Sequence, residues 1–155
     1  MAGRLIIICG LPGSGKTTLS RQLAATRPAF RLSLDEWMDD LGVSLWASDV
    51  RARVEALQWA VAQDLLRLGN TVIIEWGTWG REERDALRDG ARQLGAAVEL
   101  HYLDVPVDEL WRRVQERNRE EPPIERPALG QWTESFEEPA AAELSLFGMP
   151  PDSTP

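Results

Sequence analysis

The sequence predicts an α/β domain in which a parallel sheet of four or five strands is covered by helices on both faces. Three observations predict it. Apolar or β-branched runs alternate with segments of helical period from Arg4 to Glu120. The first and third runs, Leu5 to Cys9 and Val72 to Ile74, are continuously apolar, as strands buried on both faces are. A glycine-rich stretch, Gly10-Leu11-Pro12-Gly13-Ser14-Gly15-Lys16-Thr17, separates the first such run from the first helical segment.

Arg4 to Cys9 reads as a buried parallel strand, and Lys16 to Ala25 as a helix turning Leu19, Leu23 and Ala24 inward. Phe30 to Leu34 reads as a second short strand ending at Asp35, and Trp37 to Trp46 as a short helix and loop containing Gly42. From Asp49, Val50, Val54, Leu57, Val61, Leu65 and Leu68 recur at spacings of three and four, and Gly69-Asn70 stops the longest helix. Thr71 to Glu75 is an interior strand whose carboxylate emerges at the sheet edge. A helix from Arg81 to Leu94, a strand from Ala97 to Leu103 and a helix from Val107 to Glu120 follow, and Glu121-Pro122-Pro123 breaks the last. Helical hints recur at Trp132 to Phe136 and Ala140 to Phe147. One domain over residues 1–148 and a disordered tail over 149–155 are expected.

The stretch from Gly10 to Thr17 has the spacing G-x-x-x-x-G-K-T of a phosphate-binding loop. Gly13 and Gly15 can adopt angles closed to other residues, so successive N–H groups turn inward as an anion nest. Lys16 is placed to reach β- and γ-phosphates, Thr17 to ligate Mg²⁺, and the helix that follows aims its positive end at the same charge. The nucleotide set is Gly10, Pro12, Gly13, Ser14, Gly15, Lys16, Thr17 and Thr18. The fold is then a P-loop NTPase, with ATP or GTP and Mg²⁺ as cofactors.

In such sheets ligands gather at the carboxyl ends of the strands, where Asp35 and Glu75 also stand. Asp35 is a candidate general base for a substrate hydroxyl, with Glu36 its competitor and helix capping its structural alternative. Glu75 closes the Val72-Ile73-Ile74 run as a candidate metal or substrate contact, against the alternative of a surface carboxylate. Arg113 and Arg117 share a helix face, although Glu109 with Arg113 and Arg112 with Glu116 are also spaced as ordinary ion pairs. A lid arginine over the transferred phosphoryl is sought among Arg113, Arg117 and Arg119. Trp37, Trp76 and Trp79 are candidates for the wall of a substrate pocket, whereas Trp59 and Trp111 read as core and His101 as structural.

Composition narrows the partners. The chain carries 25 acidic and 17 basic residues for a net charge of −8, which repels polyanions and disfavours a nucleic acid polymer. Only Arg112, Arg113, Arg117 and Arg119 cluster as a local basic groove. The single Cys9 fits a reducing compartment. Neither a signal peptide nor an apolar span of bilayer length is visible, so a cytoplasmic protein without membrane contact is expected.

Taken together, the phosphate loop, Asp35, the Ile73-Ile74-Glu75 strand and Leu103-Asp104-Val105-Pro106 followed by Arg113 and Arg117 resemble small P-loop kinases. These include the 5′-kinase domain of phage polynucleotide kinase, chloramphenicol phosphotransferase and zeta-type toxins. The tail, with Phe136-Glu137-Glu138-Pro139 and Glu143-Leu144, resembles bacterial predicted AAA-domain kinases. The resemblance implies an ATP-binding core, Asp35 as base and Arg117 as lid arginine. The chain departs from the polynucleotide kinase in two places. Met38 stands where that enzyme has an arginine for the nucleic acid phosphate, and Glu75-Trp76 stands where it has an aspartate.

The reading that follows is a kinase passing the γ-phosphate of Mg·ATP to a hydroxyl of a small-molecule acceptor. Its rivals are a nucleoside, nucleotide or polynucleotide 5′-hydroxyl kinase and, from another class, a nucleotide-binding switch or slow NTPase.

Overall fold

The structure, a computed structural model, describes residues 2–148; the tail expected to be disordered lies outside the described residues. Four parallel strands form one sheet: β1 (Arg4–Cys9), β2 (Phe30–Leu32), β3 (Thr71–Gly77) and β4 (Ala97–Tyr102), in the order β2-β3-β1-β4. Side chains alternate across the strands and so divide the core. Leu5, Ile7, Cys9, Val72 and Ile74 face one side, against Ala62 and Leu66 of α3 (Ser48–Arg67) and Leu87 and Ala91 of α4 (Arg81–Gln93). Ile6, Ile8 and Ile73 face the other, where α1 (Lys16–Thr26) lays Leu19 and Leu23. A separate apolar cluster joins Leu11 of the glycine-rich loop to Leu110 and Val114 of α5 (Val107–Arg117) and Leu129 of α6 (Arg126–Ser135).

Several elements differ from the sequence expectation. The segment after β2 is helical from Leu34, as α2 (Leu34–Asp40), and its cap is Ser33, whose hydroxyl accepts the Glu36 N–H. Asp35 is therefore a first-turn residue rather than a cap. Strand β3 does not end at Glu75 but runs on to Gly77, with a register shift against β1 between Ile7 and Cys9. One extra β3 residue is accommodated there, and such bulges re-aim the side chains they carry. The long helix buries Val54, Gln58, Ala62 and Leu66 at a strict spacing of four, while Leu57 and Leu68 are exposed. Helix α5 stops at Arg117, capped by the left-handed Asn118, so Arg119 lies in the connection beyond it. The short α7 (Ala141–Leu144) folds back so that Glu143 meets Arg84 of α4. Trp59 and Trp111 pack half-buried against core clusters.

Candidate active site

The carboxyl ends of β1, β2 and β3 open into a cavity of about 1110 Å³. At one end the loop after β1 turns through Gly13 (φ 84°) and Gly15 (φ 99°), both in the left-handed region. A Cβ at Gly10 would meet Ser14 Oγ at 2.5 Å, and one at Gly13 would meet the Leu110 carbonyl at 3.0 Å, so tight packing as well as φ demands glycine. Lys16 Nζ donates to the carbonyls of Gly10 and Leu11 at 3.1 and 3.0 Å. Burial lowers its pKa to about 8, with Asp35 and Glu75 pulling the other way. Ser14 Oγ is buried with no protein partner, an orphan hydroxyl inside the anion-shaped turn.

Thr17, in the first turn of α1, donates its hydroxyl to Glu75 Oε1 at 2.9 Å. Arg31, the one charged residue of β2, holds Glu75 Oε2 at 2.9 Å and reaches Glu36 Oε1 at 3.1 Å and Ser20 Oγ at 2.8 Å. Glu75, carried on the bulge, is thus held at both oxygens, by Thr17 on one and by Arg31 on the other. Among the described residues no three carboxylate, imidazole or thiol groups gather as a metal cage. A hydroxyl and a carboxylate beside a phosphate loop nevertheless fit Mg²⁺, which keeps several waters and takes its other ligands from phosphate oxygens.

Asp35 accepts a hydrogen bond from Arg51 Nη1 at 2.9 Å. Burial pushes its carboxyl up, but the Arg51 bond and charge, helped by Arg119 and Lys16, outweigh that and hold it below the usual carboxylate range. Arg113 bonds Glu109 at 2.9 Å and the Gly13 and Ser14 carbonyls at 3.3 and 3.4 Å, Arg117 bonds Glu120 at 2.5 Å, and Arg119 bonds Asp39 at 2.7 Å. All three arginines line the cavity.

The chain that carries these parts, a glycine cradle, a buried lysine, a Thr–Glu pair and an ionised aspartate at strand ends, is similar to several known proteins. A family model, AAA_33 (AAA domain), matches residues 5–139. The chain belongs to that family. Kti12 of Chaetomium thermophilum, solved with ADP-AlF3, aligns over 89% of this chain and 82% of its own at 25% identity, with a TM-score of 0.68. A chain of the Pnkp1/Rnl/Hen1 RNA repair complex aligns over 86% of this chain at 23% identity and a TM-score of 0.75, and this chain spans 44% of its length. A gluconokinase from Sinorhizobium meliloti aligns over 88% of this chain and 76% of its own at 20% identity, with a TM-score of 0.62. The family and the P-loop α/β fold agree with the resemblance to small P-loop kinases drawn from the sequence.

Within this AAA_33 domain most of the expected site residues converge. Pro12, Gly13, Ser14, Gly15, Lys16, Thr17, Thr18, Asp35, Glu75, Trp76, Trp79, Arg113 and Arg117 all line the cavity. Two do not. Gly10 spends its N–H on the Gly77 carbonyl at 3.0 Å and its carbonyl on Lys16, so it shapes the cradle from behind. Trp37 turns into the core beside Met38 and Val54, because α2 begins three residues earlier than the sequence suggests. Its place in the wall is taken by Trp46 and Trp132, whose rings lie 6.0 Å apart, with Trp79 5.8 Å beyond. Trp46 also donates to the Pro122 carbonyl at 2.7 Å. Arg31 was legible as a lone charge in a strand, whereas Arg51 carried no local signal. The arginines of the supposed basic groove are each paired with a carboxylate, Arg112 with both Glu109 and Glu116. No helix among the described residues is long and apolar enough to cross a membrane.

Proposed function

We propose that the protein is a kinase that transfers the γ-phosphate of Mg·ATP to a hydroxyl of a small-molecule acceptor. The observation that carries this reading is that Lys16, the Thr17–Glu75 pair and Asp35 line one cavity together with four tryptophans, Trp46, Trp76, Trp79 and Trp132. The loop amides and Lys16 would hold the β- and γ-phosphates, and Thr17 with Glu75 would hold the metal. When bound, Mg²⁺ would neutralise charge that develops on the phosphates. Asp35, ionised and oriented by Arg51, accepts the proton of the acceptor hydroxyl as its oxygen bonds to Pγ. The bond from Pγ to the bridging oxygen breaks in the same displacement and ADP leaves with that electron pair. A weakly basic aspartate suits a loose transition state, in which little charge builds on the incoming oxygen. Arg117 changes partner from Glu120 to the transferred phosphoryl when the connection after α5 closes.

Similarity to a chain of an RNA repair complex favours a polynucleotide end as acceptor, but the position that would carry a phosphate-binding arginine is Met38, fully buried on the inner face of α2. A guanidinium there would have no route to a ligand. The test is ADP release from Mg·ATP by the parent and Asp35→Asn, with nucleosides, nucleotides, oligonucleotides, sugars and amino alcohols as acceptors. Release stimulated by one small-molecule class, and reduced about 10²-fold or more in Asp35→Asn, is expected. Equal stimulated release in the variant removes Asp35 as base, and tight ATP binding with no stimulation by any class favours a nucleotide switch.

A further inference from the structure

The charges that line the cavity are not balanced evenly. Arg51 is paired with Asp35, Arg113 with Glu109, Arg117 with Glu120 and Arg119 with Asp39, while Glu75 is held by Arg31. Two further lining carboxylates, Glu55 of α3 and Glu83 in the first turn of α4, have no basic group within ion-pair distance among the described residues. They face each other within hydrogen-bonding reach across the space between those helices. Burial and their mutual repulsion push Glu83 up to about 7, against the opposing charge of Arg84, and Glu55 is also raised, although Arg51 acts in the other direction. Neither carboxyl has a counter-ion in contact, and each is driven toward its neutral form.

A second observation in the same cavity does not rest on those charges. Thr78 lines the cavity, is 1% exposed, and its hydroxyl has no partner. Its φ of 47° puts a β-branched residue in the left-handed region, a conformation that costs energy and is held because Arg84 Nη1 grips its carbonyl at 2.7 Å. A buried, unsatisfied hydroxyl on a strained backbone marks a position shaped for something the protein alone does not supply. Trp76 lines the same cavity, its indole fixed by its bond to Gln58 Oε1 at 2.7 Å and by an edge contact with Trp59, one helical turn after Glu55 on α3. A rigid ring beside paired carboxylates is the chemistry that takes a cationic nitrogen.

Building on the kinase reading, we propose that the acceptor is a hydroxylated amine, its ammonium seated between Glu55 and Glu83 against Trp76 and its hydroxyl at Asp35. The ammonium gives both carboxylates the contact counter-ion they lack and favours their ionised forms. The cavity is thereby polarised: its cations, already partnered, serve the phosphates, and its unpartnered anions serve the acceptor. Acidic and phosphorylated acceptors are repelled from the same end, and the chain's net charge of −8 steers in the same sense.

The experiment has two arms on the full chain. In the first, tryptophan fluorescence follows binding of three isosteric fragments, 3-phenylpropylamine, 3-phenylpropanol and 3-phenylpropanoate, to the parent and to the Glu55→Gln/Glu83→Gln variant. The amine is expected to bind the parent roughly tenfold or more tighter than the alcohol, and the variant is expected to lose that preference. Equal binding of the alcohol, preference for the acid, binding of none, or a preference that survives in the variant overturns the proposal. If the double variant does not fold, Glu83→Gln alone replaces it. In the second arm, ADP release is measured with amino alcohols and with their N-acetylated forms. Stimulation by the acetylated forms alone overturns the amine subsite and leaves the kinase standing. Amine selectivity in the first arm with no stimulation by any acceptor leaves the subsite standing and removes the kinase.

Discussion

Replacing Glu143 by glutamine tests how the last helix is tied to the sheet. Arg84 is fully buried and its guanidinium is held by both Glu143 oxygens, Nε to Oε2 at 2.6 Å and Nη2 to Oε1 at 3.0 Å. Of its three remaining protons, two go to the carbonyls of Thr78 and Glu137 at 2.7 and 2.6 Å and Nη1 also reaches Cys9 Sγ at 3.9 Å, so one cation gathers the end of β3, the α6–α7 connection and α7. Glutamine keeps the shape but removes the only full negative charge that faces the guanidinium at contact distance among the described residues, leaving a buried cation. Breaking a buried pair from one side costs about 3–5 kcal/mol, and the amide oxygen that stays in place puts this case near 3, or a fall in Tm of roughly 6–12 °C for a chain of this length. Urea unfolding followed by tryptophan fluorescence reads the change. Replacing both members, as Arg84→Met with Glu143→Leu, is expected to recover most of the loss, because no charge is then left buried. A cost below about 1 kcal/mol for Glu143→Gln would refute the reasoning, since a charge that escapes so cheaply has water beside it.

Two further predictions concern pH. Because burial lowers Lys16 to about 8 and phosphates favour its charged form, ATP binding takes up a proton near pH 8 and weakens as the pH rises beyond it; calorimetry in two buffers of different ionisation enthalpy measures the uptake, and a zero value between about pH 8 and 9 removes Lys16 from the phosphates. Glu99 is fully buried, and although burial pushes its carboxyl up, His101, Arg27 and Arg4 outweigh that and hold it at about 2, below the 4.5 of an unfolded chain. Its contribution is complete above about pH 4.5 and lost as the pH falls toward 2, so the parent's stability advantage over Glu99→Gln shrinks by about 3 kcal/mol across that window in urea titrations.

What the sequence made legible is what short-range patterns encode. The continuous apolar runs of β1 and β3, the glycine spacing and the lysine–threonine pair each depend on neighbours a few positions away, and the structure carries them with boundaries shifted by a residue or two. Ser33 was missed as a cap because the apolar Leu34 disguises the start of α2 as the end of β2. The register of β3 was missed for a different reason. A bulge is a relation between two strands, and nothing in Glu75-Trp76-Gly77 alone says that β1 is one residue shorter there.

Gln58 shows why the acceptor side of the cavity was the least legible part. Its polar type reads as solvent-facing in a hydrophobicity pattern, although its place, four residues after Val54 and seven before Leu65, lies at the edge of the apolar stripe of α3. It is instead fully buried, because its amide closes two long-range bonds: Nε2 to the Ser33 carbonyl at 3.1 Å and Oε1 from the Trp76 indole at 2.7 Å. A polar side chain satisfied at both ends is cheap to bury and specific in what it joins. It locks the turn that presents Asp35 to the ring that walls the proposed amine subsite, and with them sets how far the base stands from Glu55, one helical turn before it on the same helix. Geometry of that kind is written in pairs of residues 18 to 25 positions apart, where a pattern of hydrophobicity has no reach.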